Sequence, residues 1–166
     1  MTLEDEVVLL RPFEQGDVPA IVEACQDPEI PRWTAVPSPY TEADARGWLE
    51  SGEEETFAIM DKASGELLGS IGVRYPGSGV GEVGYWVKRE ARGRGVATRA
   101  LALVARWALE ERDLGRFQLR ADVENEASQR VAEKAGFVRE GVLRSELLMK
   151  GERRDVVMYS LVRDDL

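Results

Sequence analysis

A chain of 166 residues, 43% apolar and 32% charged, has the size and composition of one domain that buries a single core, spanning residues 1–166. Its net charge of −9 argues against a general nucleic-acid binder, which presents a basic face, and suits a cationic substrate. Without histidine and with Cys25 as the only cysteine, the chain cannot form an intrachain disulfide, a Ser-His-Asp or Cys-His catalytic set, or a structural zinc site, so no metal is expected.

The opening Met1-Thr2-Leu3-Glu4-Asp5-Glu6 is acidic where a signal peptide is basic, and no apolar run approaches the roughly 20 residues of a membrane span. A cytoplasmic protein with no membrane contact is the expectation. Val7 to Phe13 reads as a strand stopped by Pro12, and Asp17 is placed to cap a short helix to Ala24 or Cys25. Cys25, with no base beside it in sequence, reads as a small buried apolar residue. Between Asp27 and Tyr40, four prolines (Pro28, Pro31, Pro37, Pro39) around Trp33 predict a loop rather than a helix or central strand. Thr41, with Glu42 and Asp44 in the first turn, opens a helix whose apolar face is Ala45, Trp48 and Leu49 and which ends near Gly52.

Thr56–Asp61 and Leu67–Tyr75 read as a hairpin, and Gly81–Val87 as a strand inside the sheet. From Val96 to Glu111, Val96, Ala100, Leu103, Val104, Trp107 and Ala108 recur at helical spacing, which predicts a buried helix. A strand (Phe117–Val123), a helix (Glu126–Lys134, closed by Gly136), a strand (Phe137–Leu148), a turn at Lys150-Gly151 and a last strand (Val156–Val162) complete the order. The prediction is an α/β or α+β domain, a mixed sheet of about seven strands with helices on both faces.

The junction from Glu82 to Ala97 carries the chemistry. It reads as a strand, a basic turn with Gly93 and Gly95, and a helix start, where free N–H groups and the helix dipole favour an anion. Lys88, Arg89, Arg92, Arg94 and Arg99 against Glu90 give this stretch a balance of +4 in a chain of net −9. A dinucleotide fingerprint would need a third glycine where Thr98 stands, and no Gly-Lys-Ser or Gly-Lys-Thr of a Walker loop occurs.

The pattern Arg92-x-x-Gly95-x-Ala97 between a strand and a long helix resembles the pyrophosphate signature of the GNAT superfamily of acetyl-CoA-dependent N-acetyltransferases. The resemblance extends through Asn125-Glu126-Ala127-Ser128, Glu133-Lys134-Ala135-Gly136-Phe137 and Arg153-Arg154-Asp155. With Leu10-Arg11-Pro12-Phe13 and Asp17 it is similar to the Rim-type branch, which acetylates amino termini of ribosomal proteins, and it runs from about Val7 to Leu161. It implies that Arg92, Gly93, Arg94, Gly95, Val96 and Ala97 hold the pyrophosphate of acetyl-CoA. Trp86 and Val87 would flank the pantetheine arm and supply a main-chain N–H to the acetyl oxygen, with Asn125, Ser128 and Lys134 as further cofactor contacts. Asn125 is equally suited to capping the helix that starts at Glu126.

By the same resemblance Glu82 takes a proton from the amine, directly or through water, an ion-pair role being the alternative. A tyrosine acid one turn after Ser128 is replaced here by Ala132, which leaves Ser128 as the acid toward the thiol, with Tyr159 and Tyr85 as alternatives. Trp33, Tyr40 and Glu82 are the expected acceptor contacts, with a core role open for Trp33. The implied activity is acetyl transfer to a primary amine, foremost a protein or peptide α-amine of ribosomal-protein type, by direct attack in a ternary complex. The alternatives are a small-molecule amine (polyamine, amino acid, antibiotic) and a non-catalytic CoA-binding module. A homodimer is a further expectation from relatives.

Overall fold

A computed structural model describes residues 1–52 and 54–166. Eight strands form one sheet: β1 (Leu3–Glu4), β2 (Val8–Arg11), β3 (Glu55–Asp61), β4 (Leu67–Gly77), β5 (Val80–Val87), β6 (Arg116–Asp122), β7 (Val138–Met149) and β8 (Glu152–Leu161). Their spatial order is β1-β2-β3-β4-β5-β6-β8-β7, and every neighbouring pair is antiparallel except β5–β6, which is parallel. Five α-helices accompany it: α1 (Val18–Ala24), α2 (Glu29–Trp33), α3 (Glu42–Ser51), α4 (Val96–Glu110) and α5 (Glu126–Lys134). The mixed sheet is as predicted, with the two-residue β1 added at its edge.

Strand alternation sends successive side chains to opposite faces, and each face meets helices. On one face Ala58, Met60 and Trp86 cluster with Val18 and Ile21 of α1 and Ala45 of α3; Cys25 is buried there, and desolvation raises its thiol pKa to about 12, as suits an apolar role. On the other, Phe57, Ile59, Ile71, Val83 and Leu119 pack with Leu101, Val104 and Trp107 of α4 and Ala132 of α5. The ring of Phe57 meets that of Trp107 edge-on at 5.5 Å. None of the helices among the described residues is long and apolar enough to cross a membrane.

Two local expectations are corrected. The proline-rich stretch contains the helix α2, because Pro28 stands at its N-cap and Pro31 in its first turn, where a missing N–H breaks no intrahelical bond. Asp17 does not cap α1 with its side chain; its carboxylate receives both Nη atoms of Arg11 at 2.8 Å and the backbone N–H of Glu14. Thr41 does cap α3: its Oγ1 accepts from Asp44 N at 3.2 Å while Asp44 Oδ2 accepts from Thr41 N at 2.8 Å.

One departure from regular pairing positions the site. Strand β5 pairs with β4 from Val80 to Val87, but with β6 only over Val80↔Arg116, Gly81↔Phe117 and Glu82↔Gln118. Beyond Glu82 the two parallel strands part, leaving the Val83–Val87 edge without a β6 partner among the described residues. The chain then passes through a 3-10 turn (Arg89–Ala91) and the glycine-bearing turn into α4.

Candidate active site

A cleft of about 940 Å3 follows that split. Strand β5 runs along it from Glu82 to Trp86 and Val87 and leads to Arg92, Gly93, Gly95, Val96 and Ala97 at one end, and Asn125, Ser128, Lys134, Trp33 and Tyr40 also line it. Of the residues expected to contact donor or acceptor, Arg94 does not line it: its guanidinium points to Asp61, at 3.8 Å.

The anion end is built from backbone. Gly93 and Gly95 both take φ 74, the left-handed region that glycine enters without a steric penalty, and a Cβ at either would meet nothing within 4 Å. The turn therefore faces open space. No side chain caps α4 and no acid sits in its first turn, so its N-terminal amides and dipole stay available to an anion. The local charge of +4, by contrast, is neutralised by acids distant in sequence. Arg92 meets Asp27 at 2.6 Å, Lys88 meets Glu66 at 3.4 Å, and Arg99 meets Asp5 and Glu6 at 2.7 and 2.8 Å. Arg92 is further tied down by donating from Nε to Val87 O at 3.1 Å. The arginines thus brace the turn, and its amides are the groups it leaves open to an anion.

Glu82, 7% exposed, is clasped on three sides. Its Oε1 accepts from Arg74 through Nε at 2.8 Å and through Nη2, and from Arg120 Nη2 at 2.9 Å; its Oε2 accepts from Gln118 Nε2 at 2.8 Å. Burial pushes the Glu82 pKa up, but the bonds from Gln118 and Arg74 and the charges of Arg120 and Arg74 outweigh it and hold the carboxyl below its ordinary value. With Oε1 saturated, Oε2 keeps one accepting direction for an amine or water. Sequence reasoning missed this clasp. Arg74 could have been found, because it lies directly opposite Glu82 in the β4–β5 hairpin. Gln118 and Arg120 come from β6 across a parallel pairing, for which no local sequence signal exists.

Helix α5 brings in Asn125 and Ser128. Asn125 is the N-cap: its Oδ1 accepts from Ser128 N at 3.1 Å, so the capping role holds while the residue also lines the cleft. Ser128 is half-buried, and its hydroxyl lies 3.2 Å from that of Tyr85 on β5. Tyr159, the other hydroxyl alternative, is fully buried and hydrogen-bonds Glu133 at 3.0 Å away from the cleft. Trp33 is half-buried at the cleft wall, with Nε1 donating to Glu29 at 3.1 Å and Arg32 stacked 4.5 Å from its ring. Tyr40 is buried, and desolvation raises its pKa to about 12, so it presents a neutral phenol. Lys150, at the β7–β8 turn, donates to Pro31 O and Val36 O at 2.6 and 2.7 Å and ties the segment carrying Trp33 to the sheet.

An open, glycine-flanked helix start feeding a cleft between diverging parallel strands can accommodate an anionic ligand with an extended arm. The chain belongs to the GNAT acetyltransferase family, whose domain matches residues 8–138. The uncharacterized N-acetyltransferase p20 of Bacillus licheniformis is 27% identical over 98% of this chain and 96% of its own length. A ribosomal-protein-serine acetyltransferase of Escherichia coli is 30% identical over 69% of this chain and 64% of its own. A crystal structure of a GNAT-family acetyltransferase from Bacillus anthracis superposes with a TM-score of 0.91 at 24% identity, covering 99% of both chains. The enzyme class follows from the family, and acetyl-CoA is the donor that family uses.

Proposed function

We propose that this protein transfers the acetyl group of acetyl-CoA to a protein or peptide N-terminal α-amine, in the manner of the Rim-type branch, by direct attack in a ternary complex. The observation that carries the reading is the single cleft that takes in the turn at Gly93–Ala97, Ser128 and Glu82. It offers an anion cradle, a strand edge and a buried carboxylate in one channel. The residues present fit the donor: the turn has open space in front of it, and the Val83–Val87 edge has no β6 partner among the described residues.

Bound acetyl-CoA supplies an activated thioester. The first turn of α4, from Gly95 on, would hold its pyrophosphate, with Lys134 as a cation on the cleft wall. The N–H of Val87, on the strand edge away from β4, would stabilise negative charge on the acetyl oxygen, with Trp86 beside the pantetheine arm; removing one such donor from a hydrolase costs about 2.7–4 kcal/mol of barrier. Glu82 receives the amine or its bridging water on the free direction of Oε2 and passes the proton to solvent. Ser128 would offer its hydroxyl to the departing sulfur. Trp33 and Tyr40 wall the acceptor end.

The support for a protein α-amine is the ribosomal-protein name carried by a relative, together with the Leu10–Phe13, Asp17 and Asn125–Ser128 matches. Incubating the protein with acetyl-CoA and a panel of peptides, polyamines, amino acids and aminoglycosides, with free thiol as readout, tests it. Peptide-dependent thiol release with acetylation at the α-amine supports the assignment. Release only with a small-molecule amine transfers the assignment to that class.

A further inference from the structure

Ser128 has a partner that the proposed mechanism does not use. Strand β5 sends Tyr85 to the sheet face that carries α4 and α5, where it packs against the main core while its hydroxyl reaches the cleft wall beside Ser128, at 3.2 Å. One turn further along α5, Ala132 is wholly buried and carries no hydroxyl, so a phenol at this point of the cleft comes from the sheet. We propose that Tyr85 is a positioning residue for acyl transfer: its O–H donates to Ser128 Oγ, occupies an acceptor lone pair there, and turns the single Ser128 proton toward the departing sulfur.

The direction of the bond follows from acidity. A phenol is a stronger acid than an aliphatic alcohol, so in a Tyr–Ser pair the tyrosine is the better donor. Burial raises the Tyr85 pKa and the Ser128 bond opposes that rise, so the phenol remains protonated and donating at neutral pH. A serine hydroxyl has one proton and two lone pairs. With one lone pair filled by Tyr85 and the Ser128 amide engaged by Asn125, the rotamer of the hydroxyl is restricted. As the C–S bond breaks, its electron pair stays on sulfur and Ser128 Oγ supplies the proton. The bond from Tyr85 strengthens as negative charge develops on Oγ. The acceptor ammonium loses one proton through Glu82 before its lone pair attacks and a second from the nitrogen after the C–N bond forms; one of the two, through solvent, restores Ser128 and the other leaves to solvent, so no external acid is consumed.

This inference rests on Ser128 acting on the thiol, and the experiment separates the two. Steady-state kinetics are measured for Tyr85→Phe, Ser128→Ala and the double variant, each with its melting temperature and its KM for acetyl-CoA. Loss of one neutral hydrogen bond corresponds to about a two- to tenfold change, so Tyr85→Phe lowers kcat by that factor with KM for acetyl-CoA unchanged. Ser128→Ala lowers kcat further, and adding Tyr85→Phe to it has no additional effect, because Tyr85 acts only through that hydroxyl. If Ser128→Ala is as fast as the parent, the role of Ser128 falls. If Ser128→Ala is slow but Tyr85→Phe is not, or if the two losses multiply in the double variant, the positioning role of Tyr85 is overturned.

Discussion

Gly95 offers the sharpest separation of binding from folding. It takes φ 74 ahead of α4, and a Cβ built there meets nothing within 4 Å, so a substitution brings backbone strain without a clash at Cβ. For an L-residue the left-handed conformation costs about 1–2 kcal/mol. In a domain of this size each kcal/mol lowers Tm by about 2–4 °C. Gly95→Ala and Gly95→Trp share that cost, but the tryptophan also fills the space before the α4 amides. A hydrogen bond to a charged group contributes about 1.5–3 kcal/mol, so displacing two of them weakens CoA by at least about 100-fold. Titration calorimetry with CoA, run beside thermal melts, should show similar Tm values for the two variants and measurable binding only in Gly95→Ala. A folded Gly95→Trp that binds CoA as tightly as Gly95→Ala would refute the backbone cradle.

Glu82→Gln is expected to lower kcat about 100-fold, in the range of general acid–base contributions. Because the clasp by Gln118, Arg74 and Arg120 keeps Glu82 ionised down to pH values below the ordinary glutamate range, the ratio of variant to parent should be flat across neutral pH. The stability that this depressed pKa contributes is present above the unfolded-state pKa and is lost as pH falls through the lower folded value, so melts of the parent against Glu82→Gln should converge in acid. Gly69→Ala places a Cβ 2.3 Å from Trp86 O, an overlap between paired strands that costs about 1–3 kcal/mol and is read as a fall in denaturation midpoint. Lys150→Ala removes two bonds to the segment carrying Trp33 and should raise the acceptor KM about two- to tenfold while CoA affinity stays unchanged.

The parts legible in sequence were those with a local cause. Helical spacing from Val96 to Ala108, the Thr41–Asp44 capping pair and the glycines before α4 each name their own conformation, and the sheet follows from where those elements leave their apolar faces. What stayed hidden depends on residues far apart in the chain. The basic run from Lys88 to Arg99 looks like a cationic patch until Asp27, Asp61, Glu66 and Asp5 arrive from other elements to neutralise it. Pro31 conceals α2 because a proline in a first helical turn leaves the same trace as one in a loop. Strand β7 was visible, but its pairing is interrupted between Leu143 and Leu147, where Ser145 takes φ 51, an irregularity that no alternation pattern encodes. At the site, Glu82 and Ser128 could be singled out, whereas the groups that set their behaviour, Arg120, Gln118 and Tyr85, are assembled only by the fold.

The central claim is amine-dependent acetyl transfer, and mass spectrometry of a peptide incubated with the protein and acetyl-CoA tests it most directly, using matched peptides with a free and a blocked α-amine. The account predicts acetyl on the α-amine of the free peptide, matched by an equal amount of released thiol, and none on the blocked one. Tight binding of acetyl-CoA with no amine-dependent thiol release from any acceptor would contradict it.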